Sequence, residues 1–132
     1  MIVLDASAAV DLLLDMEPHS SIIAGHLVDQ VRDIHAPHLL DAEIGQALRG
    51  LILAGVLSSV RADEVISFLG ALQIVRYAHL DLLRRALEIL RNVTVYDALY
   101  VALAESLDAP LLTRDSRLAR SAQRFVQVIL VA

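Results

Sequence analysis

The chain has 132 residues and a formal net charge of −5, and 57% of its residues are hydrophobic. This length is enough for one domain with a full hydrophobic core, over residues 1–132. The longest stretch free of acidic and basic residues is eleven residues, shorter than the roughly 18 that a membrane span needs.

Other function classes are disfavoured by what the sequence lacks. It has no cysteine, which excludes disulfides and thiolate metal sites. Its negative charge disfavours a simple nucleic-acid coat protein, although four of its eleven arginines fall between Arg114 and Arg124. The N-terminus has no basic region followed by a long apolar one, so we expect no signal peptide, no membrane contact and a cytoplasmic location.

Short apolar runs alternate with patterns of helical spacing along the chain. The run Ile2–Leu4 is wholly apolar, as expected for a strand buried on both faces of a parallel sheet. Further strands are predicted at 73–76, 110–113 and 126–131, and residues 33–37 are predicted to form a short strand or an extended link. Helices are predicted at 8–14, from Ser20 or Ser21 to Leu27, 39–52, from Ser58 or Ser59 to Leu69, 81–91, 94–107 and 116–122. This alternation predicts an α/β sandwich around a central, mainly parallel sheet.

Three acids stand where predicted strands end or where the next helix begins. Asp5 directly follows the first strand, and Asp115 follows the strand that ends near Thr113. Asp97 lies at the start of the predicted helix 94–107, which leads to the strand that ends near Thr113. Because ligands of open α/β sheets bind beyond the carboxyl ends of the strands, we expect these acids at one edge of the sheet.

Glu43 is a fourth candidate, because it lies in the middle of an apolar helix with small residues on its face. We expect it to join the other three acids in one pocket. Carboxylates crowded in a partly buried pocket raise one another's pKa unless a counter-charge is present. The chain has no lysine, so the natural counter-charge is a divalent cation bound by oxygen ligands.

Each candidate also has a structural alternative. Asp5 and Asp115 can each cap the helix that follows, and Thr94 to Asp97 resembles a capping box. Asp41 competes with Glu43 on the same helix, but its place near the N-terminus is explained by the helix dipole.

Further side chains near the strand ends can support such a site. The hydroxyls of Ser7 and Thr113 can hold a carboxylate or a metal-bound water, although a turn or cap role is the commoner one for either hydroxyl taken singly. Arg114 and Arg117 can meet phosphate oxygens or form surface ion pairs.

The motifs together resemble a known family. The segments Ile2–Ser7, Glu43–Ile44, Tyr96–Glu105 and Leu111–Asp115 look like those of a PIN domain, and the chain resembles in particular the VapC toxins of bacterial toxin–antitoxin pairs. The resemblance implies a PIN-like α/β/α sandwich and metal-dependent cleavage of RNA. It implies that the acids matching Asp5, Glu43, Asp97 and Asp115 hold Mg²⁺ or Mn²⁺, supported by Ser7 and Thr113.

The resemblance also implies partners. Members of this family commonly form homodimers, and a small cognate antitoxin blocks their pocket. The helices between Leu39 and Leu72 carry more apolar residues than one core needs, so we expect a partner surface there.

Several alternative functions remain for comparison. A phospho-accepting receiver domain and a phosphatase of the haloacid dehalogenase type both need a lysine that this chain lacks. A non-catalytic, metal-stabilised binding module and a PIN nuclease of RNA processing without a toxin role both remain open.

Overall fold

The computed structural model describes residues 1–28, 33–89 and 92–132. In these residues five strands form one sheet: β1 (Ile2–Leu4), β2 (Ile34–Pro37), β3 (Ile74–Tyr77), β4 (Leu111–Thr113) and β5 (Val128–Leu130). Their order is β3-β2-β1-β4-β5, and every neighbouring pair is parallel. The predicted parallel α/β architecture, a PIN-like α/β/α sandwich, is therefore confirmed.

Helices connect and flank these strands. They are α1 (Ala6–Leu13), α2 (His19–Val28), α3 (Leu39–Leu53), α4 (Ser59–Ala71), α5 (Leu83–Ile89), α6 (Val95–Leu107) and α7 (Ser116–Ala122). A short 3₁₀ helix (Leu80–Leu82) precedes α5, where the sequence predicted one continuous helix. The last two residues of that predicted helix, Leu90 and Arg91, lie outside the described residues.

Hydrogen bonds at the helix ends follow the sequence in most places. The Ser58 hydroxyl caps α4 and the Thr94 hydroxyl caps α6, each accepting from the backbone N–H three residues later. The α3 helix is followed by Gly55, whose positive φ of 73° favours glycine. The predicted start of α2 is wrong: α2 begins at His19, and the hydroxyls of Ser20 and Ser21 donate to Glu17 instead of capping the helix.

The core lies where β1, β4 and α6 meet. Helix α6 is fully buried from Ala98 to Ala104 and packs against β1, β2 and β4. The buried leucines of the two strands, such as Leu4 and Leu112, each contribute about 2 kcal/mol by leaving water. This packing fixes the first turn of α6 near the ends of β1 and β4.

The apolar excess of the sequence appears on the surface of α3, α4 and the turn between them. Six large apolar side chains are exposed there: Ile52, Leu53, Val56, Val60, Ile66 and Phe68. We call these six residues the α3–α4 apolar surface. Within the described residues, no helix is long and apolar enough to cross a bilayer.

Candidate active site

The order of the strands creates a crevice between β1 and β4. The chain runs outward from β1 through β2 to β3 on one side and from β4 to β5 on the other. The carboxyl ends of β1 and β4 therefore flank the topological switch point, the usual ligand crevice of such sheets. The register Leu4↔Leu112 places Asp5 beside Thr113.

Asp5 is buried and is held by two hydroxyls. Its Oδ2 accepts a hydrogen bond of 2.6 Å from Ser7 and one of 2.7 Å from Thr113. The Asp5 side chain makes no capping bond to α1, so the capping alternative does not describe it. Burial raises the pKa of Asp5, the two hydroxyl bonds oppose this rise, and the Asp115 charge adds to it.

Asp115 does cap the helix that follows it. Its Oδ1 accepts from the backbone N–H groups of Arg117 and Leu118 at 2.9 and 3.1 Å. Its own N–H donates to the Thr113 hydroxyl, the same hydroxyl that donates to Asp5. Capping and membership of the acidic cluster are thus compatible for Asp115, because one carboxylate oxygen serves α7 and the other has no hydrogen bond within the described residues.

Glu43 is half-buried, and its surroundings include a residue that the sequence analysis missed. The hydroxyl of Tyr100, on α6, donates a bond of 2.7 Å to Glu43 Oε1. Burial and the neighbouring charges of Asp5 and Asp97 raise the pKa of Glu43, while the Tyr100 bond opposes the rise. Tyr100 follows Asp97 by three residues, one helical turn, and this spacing could have indicated that both face the same crevice.

Asp97 stands half-buried in the first turn of α6. Burial, Asp5 and Asp115 raise the pKa of Asp97 to about 6, against an opposing hydrogen bond with Thr94. Glu43, Asp5, Asp97 and Asp115 are therefore linked pair by pair through electrostatic repulsion. Within the described residues, none of the four carboxylates has an arginine or histidine ion-pair partner.

The cluster is an open one. Within residues 1–28, 33–89 and 92–132, no three histidine, aspartate or glutamate side chains converge closely enough to hold one metal ion together. Repulsion between unneutralised carboxylates favours this spacing. The donor chemistry nevertheless fits a hard divalent cation, because the cluster offers carboxylate and hydroxyl oxygens and carries excess negative charge.

The two arginines predicted to meet phosphate differ from each other. Arg114 donates to Asp11 at 2.6 Å and to His19 at 2.9 Å, so its guanidinium is already engaged. Arg117 is exposed and makes no side-chain ion pair within the described part of the chain. Of these two arginines, only Arg117 is free to contact a substrate.

Comparison with known proteins adds the family context. The family model described as "PIN domain" matches residues 2–123. Ribonuclease VapC1 of Mycobacterium tuberculosis is 45% identical over 118 residues, which cover 89% of this chain and 87% of that protein. Ribonuclease VapC12 of the same organism is 37% identical over 132 residues and covers both chains fully. The crystal structure of FitAcB from Neisseria gonorrhoeae shares the fold, with a TM-score of 0.66 at 17% identity over 98% of this chain and 96% of that one.

Proposed function

Because the chain belongs to the PIN-domain family, we propose that it is a metal-dependent endoribonuclease that hydrolyses RNA phosphodiester bonds, and that it is the toxin of a toxin–antitoxin pair. The observation that carries this proposal is the cluster of four acids at the switch point of the sheet, in which burial and neighbouring carboxylates raise the pKa of Asp5, Glu43 and Asp97 and none of the four has an arginine or histidine partner among the described residues. The relatives named VapC ribonucleases support it, as do the VapC-like motifs. Residues 1–132 then form a single PIN-like domain.

In this proposal Asp5, Glu43, Asp97 and Asp115 hold Mg²⁺ or Mn²⁺. Such a cation lowers the pKa of bound water and stabilises the charge that develops on a phosphate. The protein's own groups set the geometry. Ser7 and Thr113 fix the orientation of the Asp5 carboxylate through their hydroxyls.

Two of the other three acids are oriented by different means. The Tyr100 hydroxyl orients Glu43, and the amides of α7 orient Asp115. Burial and the Glu43 carboxylate raise the pKa of Tyr100, so that it remains a donor at neutral pH. The site thus presents oriented oxygens on a folded scaffold, which is what a hydrolytic metal site requires.

The same proposal assigns partners to the α3–α4 apolar surface. Six exposed large apolar side chains on two adjacent helices form the kind of patch that marks a protein interface. We assign this surface to a homodimer contact or to a cognate antitoxin. Replacement of Leu53 and Phe68 by serine should weaken self-association or antitoxin capture, measured by sedimentation; unchanged sedimentation and capture would remove the surface from both roles.

The enzymatic proposal is tested with the purified protein, freed of any partner, and total cellular RNA. We expect discrete cuts in Mg²⁺ or Mn²⁺ that disappear in EDTA and in Asp97→Asn. The matched control is Asp81→Asn, which changes an exposed aspartate in the 3₁₀ helix and should cut as the wild type does.

Two results would count against the enzyme, and a third would count against the toxin role alone. Cleavage that survives EDTA or the Asp97→Asn change would reveal a contaminating nuclease. No cleavage of total RNA, with the fold intact, would favour a binding module. Cleavage by a chain whose gene has no neighbouring antitoxin would keep the nuclease and replace the toxin role with RNA processing.

A further inference from the structure

Three arginines with no charge partner lie together on α7 and the turn that follows. Arg117, Arg120 and Arg124 are all exposed, and none makes an ion pair within the described residues. Four other arginines do pair with carboxylates: Arg61, Arg76, Arg85 and Arg114. In a chain of net charge −5, this is a local concentration of free positive charge.

All three arginines line one cleft of about 750 Å³. Ser121 and Asn92 add polar groups to its lining, and Phe125 adds an aromatic ring that is 38% exposed. We call this site, lined by Arg117, Arg120, Arg124, Ser121, Asn92 and Phe125, the arginine cleft. Its composition combines cations, hydrogen-bonding groups and an aromatic surface.

The only acid lining the arginine cleft, among the residues described, is Glu88. Its Oε2 accepts a bond of 2.9 Å from Arg85 Nη1, and it shares that guanidinium with Glu105. The Arg85 guanidinium also lies 5.6 Å from the centre of the Phe125 ring and packs against it. Three arginines against this one partly compensated acid leave the lining of the cleft with a net positive charge.

The arginine cleft and the acidic cluster meet at the start of α7, the helix that Asp115 caps. The backbone N–H of Arg117 donates to the Asp115 carboxylate, so the first arginine of the cleft adjoins the last acid of the cluster. Arg120 follows one turn later on the same face of α7. A polymer of phosphates that reaches the acids can thus extend along α7 into the cleft.

We propose that the arginine cleft binds the single-stranded RNA that flanks the cleaved bond, with the arginines on successive phosphates and Phe125 against a base. This inference rests on the proposed function and extends it from the reacting bond to the neighbouring nucleotides. Guanidinium groups match phosphate oxygens in geometry, and aromatic rings stack on bases whatever the sequence. Single-stranded RNA fits best, because its bases are unstacked and open to such contact.

Binding is measured in EDTA, so that no RNA is cut, with a random-sequence single-stranded RNA of about 16 nucleotides as the probe. The test variant is Arg120→Gln with Arg124→Gln, and the matched control is Arg49→Gln, an exposed arginine of α3 with no ion pair among the described residues. We expect the double variant to bind about tenfold more weakly, and its salt slope to fall by about 1.4, since each phosphate contact contributes about 0.7. The Arg49→Gln variant should bind as the wild type does.

Cleavage kinetics in Mg²⁺ separate binding from chemistry. We expect the double variant to raise KM about tenfold with kcat nearly unchanged, because the cleft lies outside the acidic cluster. If the double variant has the same Kd, salt slope and KM as the wild type, the proposed role of the arginine cleft is wrong and the proposed nuclease activity is unaffected. A wild-type protein that binds no RNA, or that binds the annealed duplex through the same arginines equally well, would also overturn it. Arginine-dependent binding of single strands without any cleavage would uphold the cleft and overturn only the enzyme.

Discussion

Helix α3 carries Asp41 and Glu43 two residues apart, and the two carboxylates have opposite surroundings. Asp41 accepts two hydrogen bonds from the Arg76 guanidinium, at 2.7 and 2.9 Å. Glu43 accepts one bond from the neutral Tyr100 hydroxyl and faces the charges of Asp5 and Asp97. Asp41 is therefore neutralised by an arginine, whereas Glu43 lies among like charges.

Helix α6 repeats the contrast. Glu105 receives two bonds from Arg85, which lower the pKa of Glu105, whereas burial and acidic neighbours raise the pKa of Asp97 to about 6. Asp41 and Glu105 therefore have arginine partners on the same two helices whose other acids, Glu43 and Asp97, have none among the described residues. Unneutralised acids in a crevice lower stability and point to a functional role for the site.

The largest expected effect is a difference in RNA cleavage between variants of the two acids of α3. Glu43→Gln removes a proposed metal ligand, so we expect RNA cleavage to fall about a hundredfold or more. Asp41→Asn removes the Arg76 ion pair, so we expect unchanged cleavage and a loss of about 1 kcal/mol in the free energy of unfolding. Cleavage rates and urea denaturation of both variants are the measurements. If both variants lost the same activity, Glu43 would have no special role in cleavage relative to Asp41.

A smaller effect is expected from the hydroxyl that orients Glu43. Tyr100→Phe leaves the half-buried carboxylate without its donor, so the pKa of Glu43 should rise further. We expect about a tenfold weaker apparent affinity for Mg²⁺ and an acid limb of the pH–rate profile that moves to higher pH.

The matched control is Tyr77→Phe. The Tyr77 hydroxyl, on β3, bonds at 2.8 Å to Nδ1 of His35 on β2, and neither side chain bonds to any of the four clustered acids in the described residues. Its removal should lower stability and leave the apparent Mg²⁺ affinity unchanged. If Tyr100→Phe shows only lost stability as well, Tyr100 has a packing role and does not position Glu43.

The positions of the strand-end acids could be predicted from the sequence, because the relevant information is local. An apolar run that ends in Asp5 predicts both a buried strand and an acid at its carboxyl end. Asp115 follows the same logic. The caps of α4 and α6 were also readable, since a hydroxyl and the amide it accepts from lie three residues apart.

Contacts between distant segments were not predictable in this way. Arg114 meets Asp11, which is 103 residues earlier, and Tyr100 meets Glu43 across 57 residues. No periodicity relates such pairs, because packing of whole elements brings them together. The same limit explains why the sequence left Arg114 open between a phosphate contact and an ion pair. It also explains why the sequence indicated a group of arginines between Arg114 and Arg124 but not the cleft that three of them line.

The smallest expected effect concerns the dependence of metal-free stability on pH. The pKa values of Asp5, Glu43 and Asp97 are raised in the folded state, that of Asp97 to about 6. At these three sites the folded protein binds protons more tightly than the unfolded chain. Their contribution to stability in EDTA should be complete below the unfolded pKa of these acids, near 4, and should be lost as pH rises through about 6.

The Asp97→Asn variant isolates the contribution of Asp97 to the pH dependence of metal-free stability. Because the carboxylate is half-exposed and screened by solvent, we expect the variant to exceed the wild type by about 1 kcal/mol in EDTA above pH 7, with little difference near pH 4. Chemical denaturation at both pH values measures this. The two arginine-paired acids should show no such gain, since Asp41→Asn and Glu105→Gln each leave an arginine without its partner. A difference between Asp97→Asn and the wild type that does not depend on pH would mean that neighbouring carboxylates do not raise the pKa of Asp97. The contrast between the arginine-paired and the unpaired acids would then rest on their geometry alone.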